Sequence, residues 1–411
     1  MHRIDVAIIG AGQAGLALSR WLTKDGIEHV VFERREIGAR WVTHAWDSLR
    51  LLTPNWMNGL PGSPYAGREP DGFMLRNEFL SRLRSYAESF SAPVLAGADV
   101  LSVAVDRGRL QLATTRGVWI ARALVIATGQ CDRPHIPEAA RALGTSVLNL
   151  HSSTYRTPAA LPDGRVLVVG ASGSGVQIAD ELARRGRDVS LAVGRHTRLP
   201  RTWRGRDIFW WMDRMGILAE RTRDMPDPEA ARRQPLAQLA GRSDRSDVDL
   251  RTLQQQGVAL FGRFAGAKPG RINFTDDLAA NVACAEARQQ RLLARIDAFA
   301  GTSVEAGHDI KLVDLTPRPK RSLSVRNDRI GTIIWATGYR TDFSWVDAHV
   351  VRSDGQLVHR DGVTPVPGLF ALGFRLLRKR DSHFIGGVGT DARAIAGEIS
   401  VYLNNRARSA A

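Results

Sequence analysis

Gly10, Gly12 and Gly15 stand in the spacing G-x-G-x-x-G, and Glu33 follows eighteen residues after the third glycine. In that spacing the first glycine permits a tight turn and the second lets the backbone approach a pyrophosphate. The third lets a helix lie close to a strand, and the distal acid accepts hydrogen bonds from a ribose. The chemistry implied is the binding of a dinucleotide on a helix N-terminus, where free N–H groups and a partial positive charge meet phosphate. The pattern recurs at Gly170, Ser172, Gly173, Ser174 and Gly175, with a serine where the middle glycine belongs. After the second loop the next strand ends not on an acid but near Arg195 and Arg198. Cations there suit a ribose 2′-phosphate, which points to NADP rather than NAD. A solvated basic loop in an arginine-rich chain is the alternative.

Both loops need a strand before them and a helix after them. Val6-Ala7-Ile8-Ile9 is an unbroken apolar run of the kind buried on both faces of a parallel sheet. A helical pattern from Leu16 to Leu22 stops at Gly26, and His29-Val30-Val31-Phe32 leads to Glu33. Arg165–Val169, Val176–Arg185 and Val189–Val193 repeat that order. Two further apolar runs end in Ala127-Thr128-Gly129 and Ala336-Thr337-Gly338. Small residues at the carboxyl ends of strands admit a ligand close to the backbone. Leu278–Phe299 and Ala392–Tyr402 read as helices, and Thr202–Met215 is rich in aromatics that form core or line a substrate channel. Pro158, Pro162 and Pro317-Arg318-Pro319 are expected to punctuate the passages between units.

Composition bounds the rest. The chain of 411 residues is 44% hydrophobic and 24% charged, ordinary for a globular protein and wrong for a disordered tail or a fibre. Net charge is +15, and only five cations are lysine. The arginines are spread along the chain without a recognition module, so no nucleic-acid partner is expected. Cys131 and Cys284 form no C-x-x-C, which excludes a dithiol redox centre of that kind and a zinc ribbon. No apolar run approaches the roughly 18 residues of a membrane span, and no secretory signal is expected from the residues around Ile4. The expected location is the cytoplasm.

Taken together, these motifs resemble the class B flavin-dependent monooxygenases, the group of flavin-containing and Baeyer–Villiger enzymes. The resemblance rests on the first glycine loop with Glu33, on Arg40-Trp41, and on the mid-chain Ala-Thr-Gly. It rests equally on the second glycine loop and on Ala336-Thr337-Gly338-Tyr339. Of the Baeyer–Villiger fingerprint only His151 through Tyr155 is present, which favours the flavin-containing branch. The resemblance implies an α/β fold of two Rossmann-like dinucleotide-binding domains, the NADP domain inserted in the FAD domain. Residues 1–157 and 328–411 would bind FAD and residues 158–327 NADP. It implies FAD and NADPH as cofactors, a C4a-(hydro)peroxyflavin, and transfer of one oxygen atom from O2 to a small organic substrate. A homodimer is left open.

Carried over residue by residue, the resemblance makes Asn55 the catalytic amide near the flavin. Arg34, Arg40, Trp41, Val100, Thr128, Gly129, Gly338 and Asp391 join the two glycine loops, Glu33, Arg195 and Arg198 as cofactor-binding residues. No metal is expected. The rivals are a flavin oxidoreductase or oxidase without oxygen transfer, and a flavoprotein that only binds a partner.

Overall fold

The computed structural model describes residues 1–106, 109–301, 307, 310–316, 320–346 and 350–410; Pro317-Arg318-Pro319 lies outside them. The first sheet grows around β1 (His2–Ile9), whose Val6, Ala7 and Ile8 are fully buried. Its other strands are β2 (His29–Glu33), β3 (Val94–Ala96), β4 (Val100–Asp106), β5 (Arg109–Thr114) and β6 (Gly117–Ile126). The order is β3-β2-β1-β6-β5-β4. β1 pairs in parallel with β2 and β6, so Ile9 lies opposite both Phe32 and Ile126. β5 runs antiparallel to its neighbours. An unbroken apolar strand suits a central position, because both of its faces are covered.

The second sheet consists of β7 (Leu148–His151), β8 (Arg165–Val169), β9 (Val189–Ala192), β10 (Ala259–Phe261) and β11 (Ile330–Trp335). Its order is β10-β9-β8-β11-β7 and every pairing is parallel. The chain then returns to the first sheet, where β12 (Leu369–Ala371) pairs in parallel with β6. The molecule is thus two Rossmann-like units, each with its own apolar core.

The expected boundaries at 157/158 and 327/328 do not coincide with this division by sheets. β7 and β11, assigned above to the first unit, are hydrogen-bonded into the second sheet, with Trp335 opposite His151. Apolar strands of one length and composition carry no mark of the sheet they join. Only pairing decides it, and by pairing the crossings fall between β6 and β7 and between β11 and β12.

The helices that bear on the site are α1 (Gln13–Lys24), α2 (Ala39–Thr43), α3 (Arg76–Glu88), α4 (Gly173–Arg184), α5 (Ile208–Arg214), α6 (Leu278–Ala300) and α7 (Val388–Ala410). α1 and α7 pack side by side on the first sheet. The aromatic segment is core: Trp203, Phe209 and Trp211 are buried with Leu293 and Ile296 of α6.

Candidate functional site: two glycine loops and the rim between them

Each glycine loop follows the central strand of its sheet. Gly10 sits at φ +109°, and a Cβ there would stand 2.7 Å from the carbonyl oxygen of Ala127. A side chain at Gly15 would collide with the carbonyl of Gly10. Gly12, the N-cap of α1, is extended (φ −84°, ψ −174°) and would find nothing within 4 Å of a Cβ. No protein atom therefore demands glycine at position 12; the open space there suits a ligand phosphate. No side chain caps α1, so its first N–H groups remain available. Glu33 ends β2 beside them, with Oε2 accepting from the Ala11 N–H at 2.9 Å and Oε1 from the Arg35 N–H at 3.1 Å.

The second loop repeats this geometry. Gly170 has φ +110°, and Ser172 caps α4 at φ −84°, ψ −176°, the conformation of Gly12. A side chain at Gly175 would collide with the Gly170 carbonyl. The two Ala-Thr-Gly segments are equivalent as well. Ala127 N–H donates to Ile9 and Ala336 N–H to Val169, so each triplet leaves its strand at the glycine loop of its own sheet. Thr128 and Gly129 thus border the first loop. Gly338 belongs to the second, and its carbonyl accepts from the His135 N–H at 2.9 Å.

Hydrogen-bond register places Val193, not an arginine, where Glu33 stands in the first unit. Gly10 N–H donates to Phe32, and Gly170 N–H donates to Ala192. Arg195 lies two residues beyond and is exposed. Arg198 departs from expectation. It is 3% exposed, its Nε donates to Asp249 at 2.8 Å, and Nη1 meets Glu286 at 3.1 Å. Its Nη2 donates to the Lys311 carbonyl at 2.7 Å. Every nitrogen is committed inside the protein, which removes Arg198 from the phosphate ligands. Ser174 and Gly173 complete the α4 N-terminus. A Cβ on Gly173 would lie 3.3 Å from the Ala237 carbonyl and 3.9 Å from Leu52, so a loop of the first unit reaches the second glycine loop. Gln238 backs it, its buried Nε2 donating to the Ala171 carbonyl at 2.8 Å.

Arg40, on α2, forms a 2.6 Å ion pair with Asp132, and Arg34 lies 3.9 Å from the same carboxylate. The Arg40 Nη1 is buried without a partner, an orphaned donor on the rim of the first loop. Val100 opens β4 two residues after Ala98, whose N–H donates to the Glu33 carbonyl at 2.9 Å. Trp41 packs edge-on to Phe79 of α3, with centroids 4.9 Å apart.

Asn55 is 4% exposed, and its amide is spent on one loop. Nδ2 donates to the Glu69 carbonyl at 2.9 Å and to the Tyr65 hydroxyl at 3.3 Å, while Oδ1 accepts from Met74 N–H at 2.9 Å. Both amide hydrogens are directed at its own loop.

Asp391, in the first turn of α7, is 1% exposed, and its Oδ2 has no partner. Burial pushes its carboxyl up to about 6 against the opposing pull of Ser382, Lys379 and Arg378. It lines a cavity of about 290 Å3 with Arg221, Asp361, Arg378, Lys379 and Thr390. An unpartnered carboxylate oxygen at a helix N-terminus leaves both an acceptor and backbone donors for a polar heterocycle. The open Gly12, the orphaned Arg40 donor and Asp391 together fit a flavin dinucleotide.

Further residues, outside the expected cofactor ligands, gather where the units meet. His151 donates from Nε2 to the Gly338 carbonyl at 2.9 Å, while its Nδ1 accepts from Ser153 N–H at 3.1 Å. The Tyr339 ring lies against His151 and His44, with centroids 4.9 and 5.9 Å away. Burial, then Arg40 and Arg34, lower His44 to about 4, and burial raises Tyr339 to about 12. Asp132 and Arg201 carry no spacing signal and emerge only from contacts. Among the described residues Cys131 and Cys284 are free thiols, no acid, histidine and cysteine cluster could hold a metal, and no helix is long and apolar enough to cross a membrane.

The model of the pyridine nucleotide-disulphide oxidoreductase family matches residues 7–203. An uncharacterized oxidoreductase, CzcO-like, from Geobacillus kaustophilus (strain HTA426) is 31% identical over 403 residues, covering 97% of this chain and 99% of that protein. Indole-3-pyruvate monooxygenase YUCCA1 of Oryza sativa subsp. japonica is 26% identical over 420 residues, covering 98% and 93%. Among solved structures, a flavin-containing monooxygenase from Stenotrophomonas maltophilia superposes with a TM-score of 0.69 at 22% identity, covering 98% of this chain and 100% of that one.

Proposed function

The chain belongs to the class B flavin-dependent monooxygenases, FAD- and NADPH-dependent oxidoreductases, and from that premise we propose that it transfers one oxygen atom from O2 to a small organic substrate. The observation that carries this reading is the duplicated loop, with Gly10 and Gly170 at φ +109° and +110° on two parallel sheets. Two dinucleotides, one per unit, suit the passage of hydride from a nicotinamide to a flavin. Bound FAD would supply hydride acceptance and reactivity toward O2.

The chain's own residues hold and orient. Glu33 binds the adenosine ribose of FAD, the α1 N-terminus its pyrophosphate, and Asp391 with the α7 N-terminus its pyrimidine end. The Arg40 donor, Arg34, Val100, Thr128 and Gly129 complete the rim. The α4 N-terminus takes the NADPH pyrophosphate and Arg195 its 2′-phosphate, with Gly338 bordering the site. Leu52, Met57 and Phe384 pack with Trp203 and Phe209 between the units, an apolar barrier that excludes water. By sheet membership the FAD unit ends at β6 and resumes at β12.

A substrate panel tests the reading: amines, thioethers, ketones, and an aromatic 2-oxo acid such as the one named for the rice relative. NADPH oxidation and product mass are followed together under isotopically labelled O2. One labelled oxygen per product is expected. Quantitative H2O2 with every compound would leave an NADPH oxidase instead.

A further inference from the structure

Resting on that reading, we propose that Glu181 is a positioning residue that sets the orientation of the NADPH unit toward the flavin unit. Its carboxylate receives one hydroxyl on each oxygen. Ser48 donates to Oε1 at 2.5 Å and Tyr155 to Oε2 at 2.7 Å. The three residues come from three places. Ser48 lies in the segment that follows Arg40 and Trp41, Tyr155 in the passage after β7, and Glu181 on α4.

The first two places already form one body. Asp47 N–H donates to the Arg156 carbonyl at 3.1 Å. The Arg156 guanidinium binds the carbonyls of Thr43 at 2.8 Å, Ser153 at 2.7 Å and Tyr155 at 2.8 Å. Tyr155 and Arg156 follow β7 and lie in the second unit with α4, so it is the Ser48 hydroxyl that reaches from the flavin unit to Glu181, eight residues from Gly173, or about 12 Å along the helix from the phosphate-binding end. Trp46 is buried in the apolar core of the second unit beside it, and Tyr155 is fully buried. Those apolar contacts hold the surfaces together whether or not the carboxylate is present. What the carboxylate adds is direction, because Tyr155 fixes one oxygen within the NADPH unit while the Ser48 hydroxyl holds the other to the flavin unit, which resists rotation of α4 about its own axis. Such rotation would swing the nicotinamide across the flavin, and a misplacement of about 1 Å can cost about 100-fold in rate.

The test is anaerobic flavin reduction by NADPH in the holoenzyme, followed by stopped-flow absorbance at varied NADPH. The variants are Glu181→Ala, Glu181→Gln, and the double Ser48→Ala with Tyr155→Phe, which leaves the Arg156 body and its bulk in place. Alanine and the double variant should lower the limiting reduction rate about 10–100-fold. FAD content and the NADPH dissociation constant should stay within about 2-fold, because the glycine loops are untouched. Glutamine accepts from Tyr155 and donates to Ser48, so it should restore most of the rate. A merely structural role would move melting temperature and FAD content and leave the limiting rate of the surviving holoenzyme alone. Wild-type limiting rates in the double variant overturn the proposal even if Glu181→Ala fails to fold. A wild-type protein that NADPH does not reduce overturns the functional reading, and this proposal with it.

Discussion

Arginine in a chain of net charge +15 marks a phosphate site only where its guanidinium is uncommitted, and Arg195 and Arg198 divide on that point. Arg198 is enclosed by Asp249 and Glu286, whereas Arg195 is exposed at the end of the strand beside the second loop. Arg195→Ala should raise the NADPH KM about 10–100-fold, the worth of a hydrogen bond to a charged group, and leave the NADH KM nearly unchanged. Steady-state kinetics with both cofactors decides it, and equal effects on the two would remove Arg195 from the site. Asn55→Ala strands the Met74 N–H and the Glu69 carbonyl, at about 1–3 kcal/mol for a buried group left unsatisfied. Melting temperature should fall while product formed per NADPH consumed stays as in the wild type. Coupling that collapses at unchanged melting temperature would place the amide in the chemistry. Asp391 titrates near 6 in the fold, above its ordinary 3.8, so the native state holds its proton more tightly than the unfolded chain. Its charged form therefore weakens the fold: the penalty is absent below about pH 4, grows as pH rises, and is complete above about 6. Asp391→Asn should raise the melting temperature of the flavin-free protein above pH 6 and leave it unchanged below pH 4, as thermal scans across that range will read.

At the scale of elements, the two strand–loop–helix units are a controlled comparison. Gly12 and Ser172 share one backbone conformation, so the N-cap of this loop does not require glycine for its dihedral angles. Gly10 does require it, at φ +109° with the Ala127 carbonyl overhead. Gly12→Ser should fold with a wild-type melting temperature in its flavin-free form, because nothing lies within 4 Å of the new Cβ. It should hold FAD more weakly than the wild type without losing it altogether, because the open space is where the pyrophosphate approaches and the second loop accommodates Ser172 at the equivalent place. Gly10→Ala should lose both. Flavin content after desalting, set beside thermal unfolding of the apoprotein, separates the two roles, and full FAD retention in Gly12→Ser would show that the phosphates do not come close there.

Across the whole molecule, one buried pair links the units. Arg201 is 1% exposed, donates to the Leu52 carbonyl at 2.8 Å and meets Asp207 at 2.5 Å. Its guanidinium lies over the rings of Phe73 and Phe209, at 5.0 and 5.3 Å. Asp207 also caps α5, accepting from the Phe209 N–H at 2.8 Å. Arg201→Ala leaves that acid buried and uncompensated, a loss of about 3–5 kcal/mol. Adding Asp207→Asn to Arg201→Met removes both charges and keeps the cap, so the double variant should regain at least half of the loss. Midpoints of urea unfolding measure both, and a double variant no better than Arg201→Ala would mean that the contacts with Leu52 and the two rings carry the stability instead.

The sequence by itself determined whatever is local. Glycine spacing, the apolar strands beside it and the helix after each loop lie within about thirty residues of one another, and neighbours along the chain are bound to meet. Hence Gly10 to Glu33 and Gly170 to Val193 were legible as dinucleotide units, as was the long helix α6. Tertiary structure alone decided what depends on distant partners. Whether Arg198 faces solvent depends on Asp249, Glu286 and the Lys311 carbonyl, 51, 88 and 113 residues away. Whether Asn55 is free depends on a loop that folds back over it, and whether β11 belongs to the first or the second sheet depends on β7 and β8. A strand is extended and apolar in either sheet, and a guanidinium binds a carboxylate as readily as a phosphate. Residue type sets what a group can bind, and only the folded chain sets what is close enough to be bound.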